Sequence, residues 1–249
     1  MPEKVAFGFK QVTPEEKRRL VREQFDPIAR TYDLADTVLS AGLDGHWRRT
    51  AMRRLPIKPG HRVLDVCGGT GGLALLAAKK MTNNGRVVVY DFNRAMIDAG
   101  REALGRHPCR EAVFFVQGDA ENMAFPDACF EAVTVGFGIR NFVHLEEGLR
   151  EIRRVLRDDG ALMALEFSLP RRRLVKSLYH FYSFKVMPWA ARIICGTGEP
   201  FRYLAESIRV FPPPEGVAQI LCDVGFSDVA FQRLSAGLAV LYYGRKTRD

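Results

Sequence analysis

The chain has 249 residues, 47% of them hydrophobic, and a formal net charge of +8. It is too apolar to be disordered and long enough for one large α/β domain, and its positive balance suits an anionic partner while also being ordinary for soluble proteins. Five scattered cysteines without a C-x-x-C pair argue for reduced thiols in a cytosolic protein and against disulfides or zinc; there is no apolar leader, and no run nears the roughly 20 apolar residues that span a bilayer.

Residues 1–20 are mixed and charged. Thr13-Pro14-Glu15-Glu16 predicts a helix over 14–25, with Thr at the N-cap, Pro at the first helical position and acids in the first turn. Phe25 to Asp33 mixes aromatics, among them Tyr32, with acids, and a further helical stretch closes at Trp47-Arg48-Arg49. These helices precede the first strand, so they are expected to cap the ligand site. Residues 56–60 form a turn into a strand over 62–66, followed by a glycine-rich turn and a helix over 73–81. After a turn at Asn83-Asn84-Gly85 come a strand over 86–90, ending at Asp91, and a helix over 94–106 capped by Asn93 or Asp91. A strand over 113–117 leads to Gly118-Asp119-Ala120-Glu121, and a strand over 132–137 to Gly138-Ile139-Arg140-Asn141. Leu145, Leu149, Ile152 and Leu156 share one face of a helix over 144–156; Asp158-Asp159-Gly160 is a turn into a strand over 161–167.

Residues 170–210 break this βα rhythm. Arg171-Arg172-Arg173, Lys176, Lys185 and Arg192 interleave with Tyr179, Phe181, Tyr182, Phe184 and Trp189, and Pro188 interrupts the run. The stretch is suited to lie on a membrane surface or to pack as two core helices with basic ends. Pro212-Pro213-Pro214 is a stop, a helix follows over 216–224, and strands over 229–234 and 238–245 form an antiparallel hairpin at the sheet edge. The sum is a doubly wound, mostly parallel seven-stranded α/β sheet with N-terminal cap helices and an antiparallel C-terminal hairpin. One domain over 1–249 is the economical division: a helical cap (1–55), a cofactor-binding core (56–168), a helical acceptor-side insertion (169–210) and a C-terminal helix and hairpin (211–249).

The stretch that organises the rest is Val63-Leu64-Asp65-Val66-Cys67-Gly68-Gly69-Thr70-Gly71-Gly72. Glycines let a backbone approach a ligand closely. Gly69-x-Gly71-x-x-Ala74 also meets the loose dinucleotide pattern, a weak signal by itself. Asp65 discriminates, because a carboxylate inside the turn repels a pyrophosphate and suits an ammonium. Asp-x-x-x-Gly-x-Gly therefore favours S-adenosylmethionine (AdoMet) over NAD, and NAD over an empty turn. Asp91, about 20 residues past the turn, stands where this fold class puts a carboxylate on ribose hydroxyls, and a polar residue at Asp119 can reach an adenine amine.

With these residues in view, the chain resembles the ubiquinone/menaquinone biosynthesis C-methyltransferases over nearly its whole length. The resemblance rests on Gly8-Phe9-Lys10-Gln11-Val12, the Tyr32-Asp33 region, Ser40-x-Gly42 with Trp47-Arg48-Arg49, the glycine turn, and Leu165-Glu166-Phe167-Ser168. Its most specific stations are Phe137-Gly138-Ile139-Arg140-Asn141 and Tyr203-Leu204-Ala205-Glu206-Ser207-Ile208. It implies that Thr70, Asp91, Asp119 and Ala120 line the AdoMet site and that Arg140 and Asn141 have catalytic roles. The chain departs from the family's pattern in having Asp119 for Asn, Gly136 for Ser, Gly72 for Asp, Asp44-Gly45 for His-Arg, Ala35-Asp36 for Met-Asn, and Gly198-Glu199-Pro200-Phe201 for Asp-x-x-Ser-Tyr. The departures gather more on the acceptor side.

Methylating a quinol ring carbon needs an alignment pocket and stabilisation of a developing phenolate. Arg140 supplies charge and donors for this, being protonated at any accessible pH, Asn141 supplies an orienting hydrogen bond, and Tyr32 is a second acceptor contact. His46 and His180 are proton acceptors by chemistry, although a lone His is more often structural. The expected acceptor is a polyprenylated quinol, with peripheral membrane contact through 171–195; a soluble phenolic acceptor is the alternative. No nucleic-acid partner is expected, since the chain has neither an Asn/Asp-Pro-Pro-Tyr motif nor an RNA-binding module, and no metal is expected. A homodimer is left open.

Overall fold

The computed structural model describes residues 3–81, 84–105 and 107–247. The expected turn residue Asn83 and the expected helix end Arg106 lie outside them. A small antiparallel pair, β1 (Val5–Phe7) and β2 (Lys10–Val12), opens the chain where the sequence shows no strand signal. Next comes α1 (Pro14–Phe25), with a capping box: the Thr13 hydroxyl accepts from the Glu16 amide and the Glu16 carboxylate accepts from the Thr13 amide. Then follow α2 (Tyr32–Leu39), α3 (Leu43–Arg54), β3 (Arg62–Val66), α4 (Gly72–Met81), β4 (Arg86–Asp91), α5 (Arg94–Leu104), β5 (Val113–Gln117) and β6 (Phe130–Gly136). The chain closes with α6 (Leu145–Val155), β7 (Leu156–Phe167), α7 (Arg173–Phe181), α8 (Met187–Cys195), α9 (Glu199–Val210), α10 (Pro214–Asp223), β8 (Ser227–Leu234) and β9 (Ala239–Arg245).

The seven-stranded sheet has the order β5-β4-β3-β6-β7-β9-β8. Its first five strands pair in parallel, and β9 runs antiparallel to both β7 and β8. Inner strand β3 is buried on both faces from Val63 to Val66, as a strand covered by helices on both sides must be. Val63 joins Leu73, Ala77 and Met81 of α4 on one face, whereas Leu64 and Val66 join Leu149, Ile152 and Val155 of α6 on the other. Winding goes from β3 out to β5 and then returns to β6 beside β3. Such a reversal opens a crevice at the carboxyl ends of the strands.

Two expectations change. The turn at Asp158-Asp159-Gly160 is a bulge within β7: pairing jumps from Phe130↔Leu156 to Ala132↔Ala161, and Asp159 has φ +62°. Nor does Pro188 break the helical run over 173–195. A π-helical turn at Tyr182–Val186 joins α7 to α8, and Pro188 falls in the first turn of α8, a position that tolerates a missing amide. Among the described residues no helix is long and apolar enough to cross a membrane.

Candidate active site

The carboxyl ends of β3, β4 and β6 meet under α1 and α2, and the backbone there is unusual. Cys67 after β3 and Phe137 after β6 have φ of +51° and +58°, a region that non-glycine side chains rarely adopt. The two loops touch: a Cβ on Gly138 would stand 2.3 Å from the Cys67 Cβ, so only glycine lets them close.

Two small cavities of about 60 and 50 Å³ share Cys67, Asp91, Phe92, Val21 and Asn141 as walls and form the two lobes of one cleft. The inner lobe adds Tyr32, Arg48, Gly69, Thr70 and Met96; the outer lobe adds Tyr90, Gly118, Asp119 and Ala120. Three contacts latch the cap over the cleft. Thr70 Oγ1 donates to Asp33 Oδ1 (2.7 Å), Lys17 Nζ to the Phe142 carbonyl (2.6 Å), and Asn93 Nδ2 to Asp26 Oδ1 (2.8 Å). Asn93, not Asp91, caps α5, its Oδ1 accepting from the Met96 amide. Asp91 is therefore left to the cleft, where its carboxylate accepts from the amides of Gly69 and Asn93. Burial pushes its pKa up to about 6.

Asp65 is placed differently from the expected ammonium contact. It is 1% exposed and lines neither lobe. Its Oδ1 accepts from the Thr134 hydroxyl (2.6 Å) and its Oδ2 from the Ala74 amide (3.1 Å), which ties the start of α4 to β3 and β6. Its pKa is raised by burial to about 6. Gly71 also lies behind the cleft wall, at φ +88° against Phe115 and Val89. Asp119 is half exposed and sits 3.5 Å from Arg18 Nε.

Arg140 also differs from its sequence reading. Its Nη1 donates to Glu166 Oε1 (2.9 Å) and to the Phe137 carbonyl, and both side chains of the pair are buried. It lines a separate open cavity with Lys17, Phe142 and Ser207, not the cleft, and lies 5.5 Å from the centre of the Phe167 ring. Its charge still reaches Tyr32 and Tyr203, whose hydroxyls are both raised chiefly by burial. Asn141 faces both lobes and accepts a 3.0 Å hydrogen bond from Tyr203. His46 and His180 line neither lobe.

The cation that does face the cleft is Arg48. Its Nη2 lies 2.7 Å from Asp36 Oδ2, its Nε 3.8 Å from Asp44 Oδ2, and its guanidinium over the Phe137 ring. A helical phase was available to find it, because Asp44, Trp47, Ala51 and Met52 are the buried positions of α3 and put Arg48 beside that stripe. Behind Arg48 lies a further cavity, of about 260 Å³, lined by Asp36, Leu39, Trp47, Phe167, Tyr179 and Phe201 among others, and largely apolar.

A glycine turn after β3, a carboxylate ending β4 and a cleft at the winding reversal suit AdoMet: Asp91 faces both lobes, Asp119 and Ala120 line the outer end, and Gly69 and Thr70 line the inner end. The fold and site are those of a Rossmann-like AdoMet-dependent methyltransferase. A family model for the ubiE/COQ5 methyltransferases matches residues 10–246, and the chain belongs to that family. It is accordingly an AdoMet-dependent C-methyltransferase. It is 41% identical over 240 residues to the "Ubiquinone/menaquinone biosynthesis C-methyltransferase UbiE" of Ectopseudomonas mendocina, covering 96% of this chain and 94% of that one. Among solved structures, phosphoethanolamine N-methyltransferase 2 of Haemonchus contortus, in complex with phosphomonomethylethanolamine and S-adenosylhomocysteine, superposes with a TM-score of 0.66 at 15% identity, over 91% of this chain and 60% of that one. A methyltransferase solved with the Haloferax volcanii Trm112 activator gives 0.64 at 17%, over 92% and 98%. At these identities the two structures bear on the fold alone.

Proposed function

We propose that the protein transfers the AdoMet methyl group to a ring carbon of a polyprenylated quinol in respiratory quinone biosynthesis, the pathway that its relative's name states. The observation that carries this reading is the apolar cavity behind Arg48. Two contacts join its wall to that of the cofactor cleft: Asp36 of the cavity pairs with Arg48 of the cleft, and the Phe167 ring of the cavity stacks 4.2 Å from the Phe137 ring of the cleft. An isoprenoid chain and an aromatic ring both suit such walls.

When bound, AdoMet supplies an electrophilic methyl on a sulfonium. Asp91 holds the ribose hydroxyls, Asp119 and Ala120 the adenine, and Gly69 and Thr70 the methionine end. Asn141, fixed by Tyr203, and Tyr32 orient the acceptor ring, while Arg140 is a positioning residue that fixes the 137–141 loop through Glu166. The chain acts as one domain, with segments 1–55 and 169–210 closing over the core. Leu174, Leu178, Phe181, Trp189 and Ile193 of α7 and α8 are exposed beside Arg173, Lys176 and Arg192, and Leu34 and Val38 of α2 are exposed too. This apolar and basic face supports peripheral contact with an anionic bilayer.

The second reading is a soluble phenolic acceptor. It rests on departures from the family's pattern that border the cavity: Asp44 joins the Arg48 cluster and Phe201 lines the wall. Methyl-labelled AdoMet with demethylmenaquinol, a reduced desmethyl benzoquinol and an unprenylated phenol, each in micelles, separates the two. Transfer to a prenylated quinol and not to its oxidised form is expected. Transfer to the unprenylated phenol alone would favour the second reading.

A further inference from the structure

The acceptor cavity has one carboxylate in its wall. Asp36 is the only acidic or basic side chain lining it among the described residues; the other lining side chains are apolar, hydroxyl-bearing or the indole of Trp47, whose N–H donates to Ser235. Its Oδ2 is held by Arg48, whereas its Oδ1 accepts no hydrogen bond among the described residues. Arg48 lines the cofactor cleft on the other side of the wall. The pair therefore bridges the two compartments, with the carboxylate toward the acceptor cavity and the guanidinium toward the cofactor.

We infer that Asp36 is the proton acceptor for the ring hydroxyl of the acceptor, and that Arg48 holds the phenolate so formed beside the cofactor cleft. The inference rests on the methyl-transfer reading above. The hydroxyl proton passes to the Asp36 carboxylate, and the oxygen electron pair enters the ring. The ring carbon bonds to the methyl as the methyl–sulfur bond breaks, with that electron pair remaining on sulfur. The methylated carbon then loses its hydrogen as a proton to water, the ring regains aromaticity, and the oxygen takes its proton back from Asp36. One proton in all goes to solvent. Arg140 cannot substitute in the first step, because a guanidinium already donating to Glu166 offers no basic atom.

Asp36 lies in helix α2, at a position where the chain departs from the family's pattern, so the assignment is particular to this chain. A structural role has a different signature. If Asp36 merely neutralised Arg48, an acid elsewhere would serve equally well. Gly72 provides that place, since a Cβ there would stand 2.8 Å from Arg48 Nη1 and Gly72 does not line the acceptor cavity.

The test uses the full-length protein. Wild type, Asp36→Asn and Asp36→Asn/Gly72→Asp are assayed with the prenylated quinol, and AdoMet binding is measured by calorimetry to verify that each variant is folded. Separately, without cofactor, a 4-nitrophenol bearing a geranyl chain is bound to each. The visible phenolate absorbance and the infrared band of a protonated carboxyl are recorded together. The expected result is that Asp36→Asn binds AdoMet normally but turns over about 100-fold more slowly, and that Gly72→Asp does not restore the rate. In wild type the phenolate and protonated-carboxyl bands rise together, and the carboxyl band is lost in both variants. Restoration by Gly72→Asp, an unchanged rate in Asp36→Asn, or a phenolate without the carboxyl band would overturn the inference. If wild type transfers no methyl to the quinol, the reading of the substrate fails instead.

Discussion

The Gly69 amide donates a 2.9 Å hydrogen bond to Asp91 Oδ2, which links the glycine turn after β3 to the end of neighbouring β4. The same carboxylate faces the cleft, so loop geometry and cofactor recognition depend on one side chain. Burial raises its pKa to about 6.

That pKa predicts a pH dependence of binding. Ribose hydroxyls donate to the ionised carboxylate, so a bound cofactor lowers the Asp91 pKa. AdoMet affinity should then rise as pH increases through about 6 and level off above it, with protons released on binding in that window. Calorimetry in two buffers of different ionisation enthalpy measures the release. In Asp91→Asn the Asp91 contribution should vanish and affinity at neutral pH should fall about 10- to 100-fold, the value of one or two charged hydrogen bonds.

Asp65 predicts a pH dependence of folding. A buried acid whose native pKa lies above its unfolded value binds protons more tightly when folded. Its stabilising contribution is full below the unfolded value of 3.8 and is lost as pH rises to about 6. The difference in unfolding free energy between wild type and Asp65→Asn should therefore fall by about 3 kcal/mol between about pH 4 and 7. Urea titrations across that range test it. Thr134→Val, which removes the hydroxyl donated to Asp65, should destabilise by about 1–3 kcal/mol at neutral pH.

Arg140→Ala should act first on stability. It leaves Glu166, 0% exposed, without its cation, and breaking such a buried pair costs about 3–5 kcal/mol. Arg140→Met combined with Glu166→Leu should recover most of that loss in denaturant unfolding. A stable, inactive Arg140→Ala would return the residue to the chemistry.

Gly100→Ala should weaken cofactor binding from the far side of the turn. Its Cβ would lie 2.6 Å from Phe115 Cε1 and 2.9 Å from the Thr70 Cα and carbonyl oxygen, and the backbone of the turn would have to move. About tenfold weaker AdoMet binding is expected, by analogy with other losses of close fit, together with a lowered melting temperature. Gly216→Ala in α10, where the nearest atom is 3.5 Å away, should instead stabilise by about 0.5–1 kcal/mol.

The exposed face of α7 and α8 gives a vesicle experiment. Leu178→Asp with Ile193→Asp should reduce binding to phosphatidylglycerol vesicles and leave AdoMet affinity unchanged. Raising salt should weaken wild-type binding by screening the basic flank. Equal binding by wild type and variant would remove this face from the membrane.

Much of the core was legible because local chemistry and tertiary context agree there. The strand over 62–66 and the one over 113–117 are found at the expected residues, and so is the helix over 14–25 with its Thr13 cap. The Asp158-Asp159-Gly160 turn misled because its composition suits a bulge equally well. β1 and β2 carry no periodic signal; α1 and α9 pack against that pair, and a Cβ on Gly8 would press into Glu206. Arg48 carries no local signal of its role, because its pairing with Asp36 joins two helices that no spacing rule relates.

The sequence by itself determined the parallel sheet, the glycine turn and the acids that follow its strands. These depend on apolar runs, turn residues and strand ends, which are local. Tertiary structure decided which charges meet the ligands. Asp65 turns inward to Thr134 and Ala74, Arg140 turns to Glu166, and Arg48 with Asp36 takes the wall between cleft and cavity. The physical reason is desolvation. Once buried, a charge must find a partner, and the partner it finds depends on which chain segments packing brings within hydrogen-bond reach.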